Sequence, residues 1–151
     1  MKSTAPSIRA ASWVAAQCLR RFCEDRNITH LELENFVKHL EDAAISTSIV
    51  DWYSLGSKLQ VNGLGDPLPS PLDGIPQLVE VIEEAREIAA SQMYSAWDPE
   101  EVLAHLAALA VHTGFKPLYL VRTALRLQVA DETGWGSAIS KRVRDDWTIG
   151  A

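Results

Sequence analysis

This chain of 151 residues contains only two cysteines, and it has no long apolar segment. Cys18 and Cys23 lie five residues apart on a segment with helical periodicity, about 140° apart around the helix axis, so they cannot pair with each other. Their spacing is not that of a metal site. Two unpaired thiols are typical of a reducing compartment, and we therefore expect a cytoplasmic protein. No apolar run approaches the roughly 20 residues that span a bilayer, and we expect no membrane association.

Signal-peptide and catalytic motifs are missing as well. Arg9, Arg20 and Arg21 interrupt the first 22 residues, which have no clean apolar stretch followed by a cleavage site. There is no G-x-S-x-G motif, and the glycines of GLGDP neither follow a strand nor precede Gly-Lys-Ser/Thr, so no phosphate cradle is indicated. We expect no enzymatic activity and no cofactor.

Helical periodicity is clearest between residues 74 and 114. Apolar residues from Leu78 to Met93 share one side of a helix, and four glutamates lie on the other. Pro76 suits the first turn of that helix. A second helix begins at Asp98, an N-cap followed by Pro99 and by Glu101 at the capping-box position, and it ends at Gly114. The two helices form the centre of the predicted fold.

Four other segments have the same periodicity: residues 7–25, residues 29–44, residues 117–129 and residues 137–147. Thr29 and Glu32 form a capping box for the second of these. The third is apolar on most sides, which predicts a central position in the bundle. Residues 46–60 and 124–129 fit either a helix or a strand. We predict a single all-α domain over residues 1–151, a bundle of about six or seven helices.

A loop rich in proline and glycine interrupts the predicted bundle at residues 61–75. Pro67, Pro69 and Pro71 exclude a helix there. Leu64, Leu68 and Leu72 alternate with them and are predicted to anchor the loop to the bundle.

The net charge of −6 has one source. Between Glu80 and Glu101 there are seven acids and one base, Arg86, so this window carries −6 and the remainder sums to zero. A solvated face that keeps the protein soluble explains the pattern. A face that docks onto a basic partner explains it as well.

Tryptophan could supply the anchor of such an interface. Trp13 falls among polar residues of the first helix, where burial against a later segment is the favoured prediction, and Trp135 lies between glycines in DETGWG. The predicted partner-binding residues are Glu80, Glu83, Glu84, Glu87, Asp98, Glu101, Trp13 and Trp135. The partner would be a protein with a basic surface, and binding would occlude its site.

Two other functions stay open. Glu101, His105 and His112 share one helix face and could hold a metal ion, although they do not match HExxH, and we expect no metal. Lys141, Arg142 and Arg144 could contact nucleic acid, but two aspartates follow and the chain is acidic, so we expect no nucleic acid partner. In size, charge and helical class the sequence is similar to the immunity proteins with which bacteria neutralise toxins. That resemblance implies an inhibitor.

Overall fold

The computed structural model describes residues 4–149 and is all-α. Its helices are α1 (Ile8–Asp25), α2 (Leu31–Asp42), α3 (Ile49–Ser57), α4 (Leu78–Ala90), α5 (Pro99–Thr113), α6 (Pro117–Leu127) and α7 (Lys141–Asp145), with a 3₁₀ turn at Leu72–Gly74. The described residues contain no strand, only an isolated bridge between Pro6 and Val129. The predicted helical bundle is confirmed, and no helix within residues 4–149 is both long and apolar enough to cross a membrane.

Helix α1 is the centre of the bundle, because α2, α4, α5 and α6 all pack against it. Its N-cap is Ser7, whose hydroxyl accepts a hydrogen bond from the backbone N–H of Ala10 at 3.0 Å. The prediction that residues 117–129 form the central helix is wrong. Helix α6 ends at Leu127 and packs mainly on α5 and α1, leaving Leu118 58% exposed. Helices α1 and α5 cover one side of α6, and its wide apolar face therefore did not give it a central position.

The α4–α5 pair has the predicted start and end signals on α5. Asp98 accepts hydrogen bonds from the N–H groups of Glu100 and Glu101, and Gly114 ends the helix at a φ of 80°. At α4 the prediction is wrong by two residues. Pro76 precedes the helix, which begins at Leu78 after Gln77 in the left-handed region.

Other helices also differ from the prediction in where they begin or in how long they are. His30, and not Thr29, caps α2, because its Nδ1 accepts from the N–H of Glu32 at 3.1 Å. Residues 46–60 contain a helix, α3. The last predicted helix shrinks from residues 137–147 to the five residues of α7.

His39 of α2 packs against α3. Its ring stacks on Trp52 with centroids 4.6 Å apart, and the Trp52 indole donates to the His39 carbonyl at 2.7 Å. Gly56 makes this packing possible, since a Cβ there would lie 2.2 Å from His39 Nε2. Burial lowers the pKa of His39 to about 4.

The proline-rich loop is anchored by one of its three leucines. Leu72, on the 3₁₀ turn, is 1% exposed, and Leu68 packs partly against the core. Leu64 is 48% exposed, so its predicted anchoring role is wrong. Leu72, on the inner side of the turn, is thus buried in the core, and Leu68 contacts the core only in part.

A buried arginine joins three parts of the chain. Arg9 is 6% exposed, and its guanidinium donates to the carbonyls of Ala43 (2.6 Å), Ser46 (2.8 Å) and Gly136 (3.1 Å). The carbonyls of Ala43 and Ser46 lie just after the end of α2, and that of Gly136 lies at the end of the 131–136 loop. Arg9 therefore fixes the start of α1 against both.

Replacing Arg9 with methionine should lower the free energy of unfolding by about 2–4 kcal/mol, because three carbonyls lose a charged donor. Urea unfolding measures the change. The matched control is Arg122→Met at an exposed position of α6, with an expected change within about 0.5 kcal/mol. Equal stabilities for the two variants would contradict the role of Arg9.

Leu72→Ala should lower the free energy of unfolding by about 2–5 kcal/mol, because it opens a cavity in the core. Leu64→Ala should lower it by about 0.5 kcal/mol or less. Thermal and urea unfolding of the two variants compare the same chemical change inside and outside the core. A similar loss in both would mean that the loop is anchored at both leucines.

The folded protein keeps His39 neutral to a lower pH than the unfolded chain, whose histidine has a pKa near 6.5. Between pH 6.5 and about 4 the unfolded state binds the proton more readily, so stability should fall as the pH drops through this window. His39→Phe should flatten that part of the pH–stability curve. Unfolding midpoints between pH 7 and pH 4 test this.

Candidate functional site

The acidic window folds into α4 and the start of α5, and we call these of its carboxylates the acidic face: Glu80, Glu83 and Glu87 on α4, with Asp98, Glu100 and Glu101 at the start of α5. Glu80, Asp98 and Glu100 are exposed and the others are half-buried. Glu80 and Glu83 form no ion pair with any residue between 4 and 149. Their charge is therefore available to a partner.

Glu84 is directed toward α5 and not toward solvent alone. Its Oε2 lies 2.6 Å from Nδ1 of His105, whose other ring nitrogen is 4.0 Å from Glu101 Oε1. The His105 side chain is 20% exposed. The sequence placed Glu84 and His105 on separate polar faces, but helix packing brings them together. The pair ties α4 to α5 and removes Glu84 from the surface offered to a partner.

The proposed metal ligands do not converge. His112 is seven residues beyond His105, about 10 Å farther along α5 at 1.5 Å per residue. Within residues 4–149 no three His, Cys, Asp or Glu side chains are grouped as a metal site would require. The nearest partners of His105 are carboxylates already engaged in joining two helices.

Arg86, the single base of the acidic window, is turned away from its centre. It donates to the Tyr53 hydroxyl at 2.6 Å and pairs with Glu87 at 3.0 Å. The loop closes over it at Gly63, where a Cβ would lie 2.8 Å from Arg86 Cδ. Arg86 thus neutralises only the Glu87 end of α4.

The connection between the two helices that carry the acidic face contains an exposed tyrosine. Tyr94, between α4 and α5, is 84% exposed, and its ring meets Tyr53 edge-on with centroids 6.0 Å apart. Sequence reasoning missed Tyr94 because it follows the end of the helical pattern. The one feature of the sequence that could have pointed to Tyr94 is an aromatic residue in the connection between two helices.

The two tryptophans predicted as anchors lie elsewhere. Trp13 is 5% exposed and packs edge-on against Trp147, with centroids 5.9 Å apart, so the predicted burial against a later segment is confirmed. Trp135 is half-buried against the core. Neither tryptophan adjoins the acidic face through a contact seen here.

Two loop acids extend the acidic face. Asp66 and Asp73 share with Glu83 a shallow cavity of about 260 Å³ between the proline-rich loop and α4. Asn62 donates to Asp66 at 3.1 Å and holds this part of the loop in place. These carboxylates lie outside the sequence window of net charge, so only the fold associates them with α4.

The basic cluster on α7 is not a uniform surface. Lys141 and Arg142 are exposed, but the Arg144 side chain is 14% exposed and pairs with Asp42 and Asp145. One of the two arginines of the cluster is thus engaged within the chain.

Comparison with known proteins gives no relative. No family model, no curated protein and no solved structure matches this chain.

The Glu84–His105 contact should couple the two helices energetically. In a double-mutant cycle, Glu84→Gln and His105→Gln should each destabilise the fold, and together they should cost less than the sum by about 0.5–1.5 kcal/mol. Urea unfolding at pH 6 supplies the four values. Additive losses would mean that the pair makes no net contribution.

Proposed function

We propose that this chain is a protein-binding module that docks its acidic face onto a basic surface of another protein and occludes it. The observation that carries the proposal is the location of the charge. The whole formal charge of −6 arises between Glu80 and Glu101, and the fold collects that segment on α4 and the start of α5. Such a field accelerates association with a cationic partner and orients it.

Tyr94 is the proposed anchor of the interface. Tyrosine is enriched at binding hot spots, where a large ring buries apolar area and its hydroxyl finds a polar partner. Contact with Tyr53 restricts the ring before a partner arrives, which reduces the entropy lost on binding. Tyr94 replaces Trp13 and Trp135 in this role, because both of those rings pack within the fold.

The specific form of the proposal is an inhibitor of the immunity type. Small size, net negative charge and an all-α fold support it. The mechanism would be steric: carboxylates pair with cationic groups around the partner's site, and the face covers it. No metal or reacting group is needed for that mechanism.

Charge reversal tests the acidic face. Glu80→Lys with Glu83→Lys changes two acids that make no ion pair with a described residue, so the fold should keep its stability. The partner is first selected as a protein that co-purifies with the wild-type chain and is then purified itself. Its association rate with the variant should fall about tenfold or more at low salt, and less at high salt.

A matched control reverses Asp25 and Asp146, two exposed acids outside the acidic face. This control has the same net charge as the test variant but should bind at nearly the wild-type rate. Equal slowing by both variants would mean that overall charge, and not the acidic face, attracts the partner. Unchanged rates in both would reduce the face to a solvated surface.

Tyr94→Ala should change the dissociation rate of the complex and not its association rate. Loss of an aromatic contact with the partner should raise the dissociation rate about tenfold and leave the association rate nearly unchanged. Tyr119→Phe serves as a control for an aromatic change away from the face. Surface plasmon resonance with the purified partner separates the two rates.

The inhibitor form has its own test. If the neighbouring reading frame encodes a toxic protein, co-expression of this chain should restore growth, and the Glu80→Lys, Glu83→Lys variant should restore it less. Growth restored equally by the variant would separate inhibition from the acidic face.

A further inference from the structure

The cavity between the proline-rich loop and α4, which we call the loop cavity, has an apolar lining. Leu68 of the loop and Val79 and Ile82 of α4 supply most of it. Ile82 is 1% exposed, whereas Val79 is 44% exposed and keeps apolar surface in contact with water. The volume of about 260 Å³ is smaller than the roughly 300–1,000 Å³ of pockets that hold a whole small-molecule ligand. A space of this size suits one long side chain.

The charges around the loop cavity are all of one sign. Asp66, Asp73 and Glu83 line it, and no basic residue of the described chain does. None of the three carboxylates forms an ion pair with a residue between 4 and 149. Four further cavities of the same structure each include an arginine in their lining. The loop cavity is therefore complementary to a cationic group that comes from outside the chain.

The loop wall of the cavity is positioned by its own hydrogen bonds. Asn62 is 7% exposed, and its amide donates to Asp66 Oδ2 at 3.1 Å while its Oδ1 accepts from the N–H of Leu64 at 2.9 Å. Gly63 lies so close to Arg86 that a Cβ would be 2.8 Å from Arg86 Cδ. A wall held in this way loses little further freedom when a ligand enters.

The chemistry of the cavity favours a guanidinium over a metal ion or an ammonium. Within residues 4–149 no three carboxylates are grouped closely enough to hold a metal ion. A guanidinium is planar, carries five donors in different directions and is weakly hydrated, so it can reach carboxylates that are further apart. The aliphatic stem of an arginine packs on apolar surface at the same time. An ammonium is a compact and strongly hydrated charge.

We propose that the loop cavity receives one arginine side chain of the protein that docks onto the acidic face. The stem of that arginine packs on Leu68 and Val79, and its guanidinium donates to the carboxylates. Glu83 belongs both to the acidic face and to the cavity lining, so a partner docked on the first reaches the second. The identity of the occupant rests on the proposed function. Exposed carboxylates attract any basic surface, whereas this pocket selects a surface with an arginine at the right place.

A first test does not need the partner. N-acetylarginine amide, titrated into the isotope-labelled protein, should cause saturable NMR shifts of the backbone amides of residues 62–68 and 79–83. N-acetylcitrulline amide, which has nearly the same shape but no charge, should bind at least about tenfold more weakly. N-acetyllysine amide should also bind more weakly than the arginine probe. Absence of saturable shifts would overturn the pocket, and equal binding of the lysine probe would overturn its assignment to arginine.

Variants of the cavity separate its shape from its charge. Asp66→Asn with Glu83→Gln removes two carboxylates at nearly constant volume, and Val79→Phe fills the cavity while all three carboxylates remain. Each should weaken binding of the arginine probe about tenfold or more. The matched control, Asp25→Asn with Asp146→Asn, makes the same change in net charge at two exposed acids elsewhere and should bind as the wild type does. Circular dichroism verifies that all three variants fold. Wild-type binding by Val79→Phe, or equal loss in the control, would mean that charge alone attracts the probe.

The purified partner then distinguishes a failure of the pocket from a failure of the proposed function. Val79→Phe should raise the dissociation rate of the complex about tenfold and leave its association rate nearly unchanged, because the steering charges are intact. If reversal of Glu80 and Glu83 slows association but Val79→Phe leaves dissociation as it was, the acidic face binds the partner and the pocket does not. If the arginine probe binds but neither variant changes the rates of the partner, the proposed function is wrong, although the cavity selects arginine.

Discussion

The buried guanidinium of Arg9 is the contact on which most of the architecture depends. Burial lowers its pKa, and three backbone carbonyls compensate for the loss of water around it. Through them, α1 is fixed to the end of α2 and to the 131–136 loop. That loop is closed by Asp131, whose pKa is lowered chiefly by the hydrogen bond from Thr133. Gly134 then receives Trp97, so the corner between α4 and α5 is positioned by contacts that begin at Arg9.

The acidic face is a compromise between repulsion and internal pairing. Carboxylates at spacings of three and four residues repel, by a few tenths of a kcal/mol per pair on an exposed helix. Two contacts reduce this repulsion: His105 of α5 contacts the Glu84 carboxylate, and Arg86 forms an ion pair with Glu87. Glu80 remains in the first turn, where the helix dipole favours a negative charge. On α4 the unpaired carboxylates, Glu80 and Glu83, therefore lie in the N-terminal half, and Glu83 shares a cavity with the loop acids Asp66 and Asp73.

The sequence by itself determined the helical class, the α4–α5 pair, the cap at Asp98 and the end at Gly114, because periodicity and capping are local. It also located the net charge. Only the tertiary structure decided that α1 and not α6 is central, since an apolar face does not reveal which neighbours will cover it. Burial of Trp13, the contact of Glu84 with His105 and the grouping of Glu83 with Asp66 and Asp73 join residues distant in sequence. Their positions depend on how helices pack, and helix packing is set by side chains from several elements at once, which no local pattern records.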